Sequence, residues 1–192
     1  MSLKITFGTD GWRADTAKEF TAHNVARVAE ATANWVKKNG MPLRAVVGHD
    51  CRFGGELFAE TVARVFLTEG LEVHLAEGPV TTPMVSLGAK ELNCGIGVII
   101  TASHNPPSDN GFKLKGAHGG PLLEADVKAV EDMIPDDLSI NPDSIDLSEK
   151  RANGQLITAE LEDMFVAKVE AYFDLDSIRN SKMELAYDAM YG

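Results

Sequence analysis

The stretch Cys94-Gly-Ile-Gly-Val-Ile-Ile100, followed by Thr101-Ala-Ser-His-Asn-Pro-Pro-Ser-Asp-Asn-Gly111, decides how this chain is organised. Its first half is short, apolar and rich in β-branched residues, which is typical of a strand buried in the middle of a sheet. Its second half is rich in hydroxyl groups and turn residues, and Asn105 must be extended because a proline follows it. We therefore expect Ser103 on a stiff loop at the end of a buried strand, where α/β sheets commonly carry function.

Strand and helix patterns alternate on both sides of this loop. The apolar patterns predict strands over residues 3–7, 43–48, 71–75, 94–100 and 112–115. They predict helices that begin after Thr21, at Gly55, after Pro83, near Ala125 and at Thr158. This alternation predicts a three-layer α/β/α domain with a mostly parallel, mixed sheet.

The sequence also suggests where the domain ends. We expect it to cover residues 1–135 and to be followed by an acidic connection and a linking helix over residues 136–180. Residues 183–187 look like a strand, and residues 181–192 would then be the start of a second domain. A single strand cannot form a sheet by itself.

The composition narrows the class of partner. The chain has 192 residues and a net charge of −11, which argues against nucleic acid or an anionic membrane as partner. Much of the acidity lies in residues 124–150, which hold nine acids and two bases. There is neither an eighteen-residue apolar run nor a signal-peptide pattern, so we expect a cytoplasmic protein with two free thiols.

Two motifs together resemble the α-D-phosphohexomutase family, which contains the phosphoglucomutases and phosphomannomutases. They are T-A-S-H-N-P at 101–106 with N-G-F-K at 110–113, and Phe7-Gly-Thr-Asp-Gly-Trp-Arg13. The resemblance runs from Ile5 to the last residue and covers domain I with the start of domain II. It implies that phospho-Ser103 interconverts hexose 1-phosphate and hexose 6-phosphate, of glucose or mannose, through a bisphosphorylated sugar.

The same resemblance implies roles for individual residues. The expected catalytic residues are Ser103, Lys113, Arg13 and His104. The expected substrate- or phosphate-binding residues are Gly8, Thr9, Asp10, Gly11, Thr101, Asn105 and Arg52. For Arg52 an equally good interpretation is a local ion pair with Asp50 that shapes its loop.

The resemblance also implies a cofactor and an activator. Mg²⁺ would be bound through the phosphate on Ser103, its other ligands and domains II–IV would lie outside this chain, and glucose 1,6-bisphosphate would be the activator. The family arrangement needs all four domains, so we expect this chain alone to be inactive.

Three alternatives stay open. The chain resembles a phosphoglucosamine mutase domain nearly as well, or it could be a non-catalytic module that binds a sugar phosphate or a partner. A serine hydrolase is the third alternative. It is disfavoured because the G-x-S-x-G elbow is missing and because the adjacent side chains of Ser103 and His104 would point apart on an extended segment.

Overall fold

A computed structural model of the chain describes residues 3–8 and 11–189. The strands are β1 (Trp12–Asp15), β2 (Arg44–His49), β3 (Glu72–Pro79), β4 (Ile96–Ile100), β5 (Asp109–Gly116) and β6 (Leu156–Ala159). The helices are α1 (Ala22–Lys38), α2 (Gly55–Thr68), α3 (Thr82–Glu91), α4 (Glu124–Glu131), α5 (Leu147–Ala152), α6 (Leu161–Tyr172) and α7 (Leu175–Arg179), with a short 3₁₀ turn at Pro142–Ser144. No helix in these described ranges is long and apolar enough to cross a membrane.

The six strands form one mixed sheet in the order β1-β5-β4-β2-β3-β6. Strands β4, β2, β3 and β6 run parallel, while β5 is antiparallel to β4 and β1 is antiparallel to β5. The strand that leads to Ser103 is thus central, as predicted. This arrangement confirms the predicted mixed α/β sheet.

Helices cover both faces of the sheet because the inner strands are apolar on both faces. On β4, Val98 and Ile100 belong to one buried cluster and Ile99 to another. The first cluster includes apolar residues of α1 and α2, and the second includes Val85 of α3 and Leu161 of α6. Successive strand residues point to opposite faces, so this alternation places α1 and α2 on one side of the sheet and α3 and α6 on the other.

Helix α1 begins where the sequence indicates. The Thr21 side chain accepts a hydrogen bond from the Asn24 backbone N–H at 3.3 Å, which caps the first turn. Lys37 and Lys38 lie in the last turn, where they face the negative end of the helix dipole.

The predicted first strand is wrong. Residues 3–7 form no strand, and the edge position beside β5 is taken by β1 instead. The Phe7 backbone N–H donates to the Glu131 carboxylate at 2.7 Å, so this segment is tied to α4 by a side chain and not by a sheet ladder. Ile5 is still buried in the core, which explains the apolar pattern.

The C-terminal third also differs from expectation. The predicted acidic connection contains the 3₁₀ turn and α5, and strand β6, which the sequence pattern did not show, pairs with the open edge of β3. The linking helix consequently begins at Leu161 and not at Thr158. The strand predicted at 183–187 is wrong: this stretch has no regular structure and is exposed, since no described strand pairs with it.

Candidate functional site

The candidate site lies at the carboxyl ends of β4 and β2. His49 and Ile100 are paired in register at the ends of these strands, and the Asp50 N–H donates to the Ile100 carbonyl at 3.1 Å. The loops that follow are thereby held side by side. They border an open cleft of about 910 Å³ whose lining includes Thr101, Ser103 and His104.

Ser103 has an unusual backbone conformation. Its φ is +57°, in the left-handed region that few residues other than glycine occupy, at a cost of about 1–3 kcal/mol. The side chain is exposed, whereas the two residues before it are buried. A strained residue that presents its hydroxyl to a cleft is typical of a functional site.

The left-handed turn brings Ser103 and His104 together. The Ser103 Oγ lies 3.5 Å from His104 Nδ1, at the outer limit of a hydrogen bond. The prediction that the two side chains point apart is wrong, because it assumed an extended backbone at Ser103. His104 is exposed and adjacent to any group bound to the serine oxygen.

Arg52 lies under the serine loop. Its guanidinium donates to four loop carbonyls, those of Ser103, Asn105, Pro106 and Asp109. Its Nε lies 3.6 Å from Asp50 Oδ2. These contacts are the ones expected if Arg52 shapes its own loop. They comprise the predicted ion pair with Asp50 and, in addition, four hydrogen bonds to the serine loop.

A second set of bonds closes the loop at its far end. Asn105 Nδ2 and the Ser108 hydroxyl both donate to the Asp109 carboxylate, at 2.9 and 3.0 Å. These two hydrogen bonds, from Asn105 first and then Ser108, hold the pKa of Asp109 below its usual value. Asn105 also accepts a weak bond of 3.4 Å from the exposed Arg13, which connects the N-terminal motif to this loop.

The N-terminal motif packs against β5. The Gly8 N–H donates to the Gly11 carbonyl at 2.9 Å, and Gly11 has a φ of +106°. A Cβ at Gly11 would lie 2.5 Å from the Phe112 carbonyl oxygen and 3.0 Å from the Lys113 Cγ, so only glycine fits there. Thr9 and Asp10, both predicted site residues, lie outside the described residues.

Lys113 lies beneath this turn and is only 5% exposed. Lys115, on the same strand, is equally buried at 4%. Burial alone therefore does not indicate which of the two lysines belongs to the site. Lys113 is the better candidate because its side chain lies next to Gly11 of the N-terminal motif.

Some residues of the cleft were not predicted from the sequence. Thr81 and Thr82, at the start of α3, line it together with Pro79 at the end of β3. The parallel order of β2 and β3 is the signal that would have indicated them, because parallel strands end at the same edge of a sheet. Their own local sequence reads as an ordinary turn.

Fold and site together define an α/β/α domain that presents a strained serine on a clamped loop at the carboxyl edge of its sheet. The chain belongs to the phosphoglucomutase/phosphomannomutase family, because the model of that family's alpha/beta/alpha domain I matches residues 4–140. This confirms the resemblance that the two motifs indicated.

Relatives with curated names agree on the family. The chain is 40% identical to the phosphoglucosamine mutase of Zymomonas mobilis over 129 residues. The aligned residues make up 67% of this chain and 29% of that protein. It is 36% identical to the phosphoribomutase of Saccharomyces cerevisiae over 146 residues. That alignment covers 72% of this chain and 23% of the yeast protein. The chain thus spans less than a third of the length of either relative.

Solved structures match the fold over more of the chain. A candidate phosphomannomutase of Thermus thermophilus has a TM-score of 0.82 and 35% identity, covering 93% of this chain and 38% of that one. The open form of the Paramecium phosphoprotein pp63/parafusin has a TM-score of 0.73 at 18% identity, which shows the fold alone.

Proposed function

We propose that this chain is the serine-bearing domain of an enzyme that moves a phosphoryl group between two positions of a sugar phosphate. Ser103 would accept a phosphoryl group from a sugar bisphosphate and return it to a sugar monophosphate. The observation that carries this proposal is the exposed hydroxyl of Ser103, which Arg52 and Thr101 hold in a strained conformation at an open cleft. Phosphoryl transfer demands mainly such alignment and charge stabilisation.

The transfer step conserves atoms and charge in a simple way. A new bond forms between the serine Oγ and phosphorus while the bond from phosphorus to the sugar oxygen breaks. The serine oxygen loses its proton and the sugar oxygen gains one. In the reverse transfer the sugar hydroxyl gives up its proton and the serine oxygen regains one. We assign the stabilisation of phosphate charge to Arg13 and the seating of the phosphate to His104, whose Nδ1 is close to the serine oxygen. Lys113, beneath the Gly11 turn, is the proposed group for proton exchange with the sugar hydroxyl.

A hydrolase explains the site less well. In a serine hydrolase the base that activates the serine is itself oriented by a third group. In the described part of the chain no carboxylate contacts His104, whose bond to Ser103 is itself long. A serine that carries phosphate needs no such triad.

Magnesium does not fit the residues of this chain as a complete site. Among the described residues, no group of three or more His, Cys, Asp or Glu side chains is placed to hold a metal ion. The nearby carboxylates of Asp50 and Asp109 already accept hydrogen bonds within the loops. No step of the proposal therefore passes through a metal, and glucose 1,6-bisphosphate stays the proposed activator.

The proposed substrate class is hexose phosphate, and the relatives bear on the particular sugar. Glucose and mannose phosphates are the pair that the motifs favour, and the Thermus relative is named for mannose phosphate. The curated names favour glucosamine phosphate as the second candidate. Bisphosphates of each of these sugars, offered singly as phosphoryl donors to the enzyme that contains this domain, would rank them.

The serine assignment can be tested by labelling. The enzyme that contains this domain is incubated with glucose 1,6-bisphosphate that carries ³²P, and the label is located by peptide mapping. We expect label on Ser103 in the unaltered enzyme and none in Ser103→Ala. Ser181→Ala is the control, since Ser181 is an exposed serine outside the serine loop and its loss should not affect labelling. Label on Ser86, Ser108 or a threonine would contradict the assignment.

A further inference from the structure

Arg52 stands at the centre of the serine loop. It follows the carboxyl end of β2, and its side chain is only 14% exposed although it lies on a surface loop. A charged side chain this well covered must have its hydrogen-bond donors satisfied. The identity of its acceptors therefore shows what the residue does.

The acceptors are all parts of the protein backbone or of Asp50. Nη1 donates to Pro106 and Asp109 carbonyls at 2.8 and 2.9 Å, and Nη2 donates to Ser103 and Asn105 carbonyls at 2.9 and 2.6 Å. Nε faces Asp50 Oδ2 at 3.6 Å. A guanidinium has five N–H groups. Four of them donate to loop carbonyls and the fifth faces the Asp50 carboxylate, so all five already have a partner in the protein.

Asp50 extends this arrangement to the other side of Ser103. Its carboxylate accepts from the Arg52 backbone N–H at 3.0 Å and from the Thr101 hydroxyl. The Thr101 Oγ1 in turn accepts from the Ser103 N–H at 3.0 Å. Both peptide groups that flank the Ser103 Cα are thus held, the N–H through Thr101 and the carbonyl by Arg52.

We propose that Arg52 is a positioning residue that holds Ser103 in its left-handed conformation, and that it does not bind the substrate phosphate. This inference rests on the proposed role of Ser103 and replaces the phosphate contact that the sequence suggested for Arg52. Lysine cannot substitute, because an ammonium is a point charge with three donors and cannot reach four carbonyls and a carboxylate in one plane.

The first experiment measures how readily the serine loop opens, and it does not depend on phosphoryl transfer. Hydrogen–deuterium exchange of the amides of Asn105 and Asp109, which donate within the loop, is compared between the unaltered chain and Arg52→Lys. We expect about tenfold faster exchange in the variant, because local opening becomes easier. The amides of β3 provide the internal check that the variant is folded.

Arg13→Lys is the matched control in this measurement. Arg13 contacts the same loop through one bond of 3.4 Å, so its replacement should leave the exchange of both amides unchanged. Equal exchange in Arg52→Lys and the unaltered chain would overturn the inference. This outcome does not depend on whether Ser103 is ever phosphorylated.

The second experiment separates positioning from binding. In the enzyme that contains this domain, the rate of ³²P incorporation at Ser103 is measured against the concentration of glucose 1,6-bisphosphate. A misplaced serine should lower the maximal rate about 100-fold. The half-saturating concentration should change by less than about threefold. Arg151→Lys, an exposed arginine of α5, should behave like the unaltered chain.

The outcomes are distinguishable. A raised half-saturating concentration with an unchanged maximal rate would mean that Arg52 binds phosphate, and the inference would fail while the proposed function stands. No label on Ser103 in the unaltered enzyme would reject the proposed function, and the exchange measurement would still decide what Arg52 does to the loop.

Discussion

The two free cysteines have different surroundings. Cys51 is exposed in the loop between Asp50 and Arg52, while Cys94 is fully buried just before β4. Burial raises the pKa of the Cys94 thiol from 9.0 to about 12. Since the thiolate is the reactive form, Cys94 should be inert although it is a free thiol.

This contrast gives a prediction for alkylation. With iodoacetamide at about pH 8, we expect Cys51 to be modified and Cys94 to stay intact in the folded chain. At that pH a thiol with a pKa near 12 is ionised to only about one part in ten thousand. Peptide mapping after a timed reaction reports both sites. In denaturant both should react, and equal rates in the folded chain would show that Cys94 is not sealed from solvent.

At the scale of the element, α6 and β6 complete the domain. Strand β6 pairs with the otherwise open edge of β3, and α6 follows it after one residue. Leu161, the first residue of α6, is 1% exposed and lies against α3: a Cβ at Gly88 would come within 2.7 Å of its Cδ2. Leu161 is the one fully buried residue of α6, while Met164, Phe165 and Val169 are half-buried.

Leu161→Ala should therefore destabilise the chain strongly. We expect a loss of about 2–5 kcal/mol in the free energy of unfolding, because a buried leucine is replaced by a cavity. Val166→Ala on the same helix is the control: Val166 is 46% exposed, and its loss should change stability by about 0.5 kcal/mol or less. Urea unfolding followed by circular dichroism measures both. Equal effects of the two substitutions would mean that α6 does not dock through Leu161.

For the whole molecule, the important contrast is between a closed core and an open site. The sheet is covered on both faces by two buried clusters. Ser103 and His104, in contrast, face an open cleft and are exposed. The described residues close the core on both faces of the sheet, whereas one side of the cleft is open to solvent.

We therefore predict a chain that folds cooperatively but does not interconvert hexose phosphates. Losing most of the substrate positioning forfeits about 7–11 kcal/mol of barrier lowering. Calorimetry should show a single unfolding transition, and a coupled assay should show no conversion of glucose 1-phosphate to glucose 6-phosphate. Clear turnover that disappears in Ser103→Ala would show that the residues of this chain suffice.

The local signals in the sequence were sufficient for most of the fold and for the position of the serine loop. The helix bounds of α2 and the cap of α1 follow from nearby residues, because capping and amphipathic periodicity act over a few positions. The apolar run before Thr101 predicts a central strand because it is buried on both faces. The serine loop follows from the hydroxyl and proline residues placed directly after it.

Tertiary structure alone decided which short segments became strands and what the charged residues do. The four residues of β1 and of β6 form strands because open edges of β5 and β3 are available, whereas residues 183–187 have no described partner. Four donors of Arg52 acquire their role only when the loop from position 103 to 109 folds around them, more than fifty residues away in the chain. Such long-range pairings depend on which backbone groups meet in space, and neighbouring residues do not encode that.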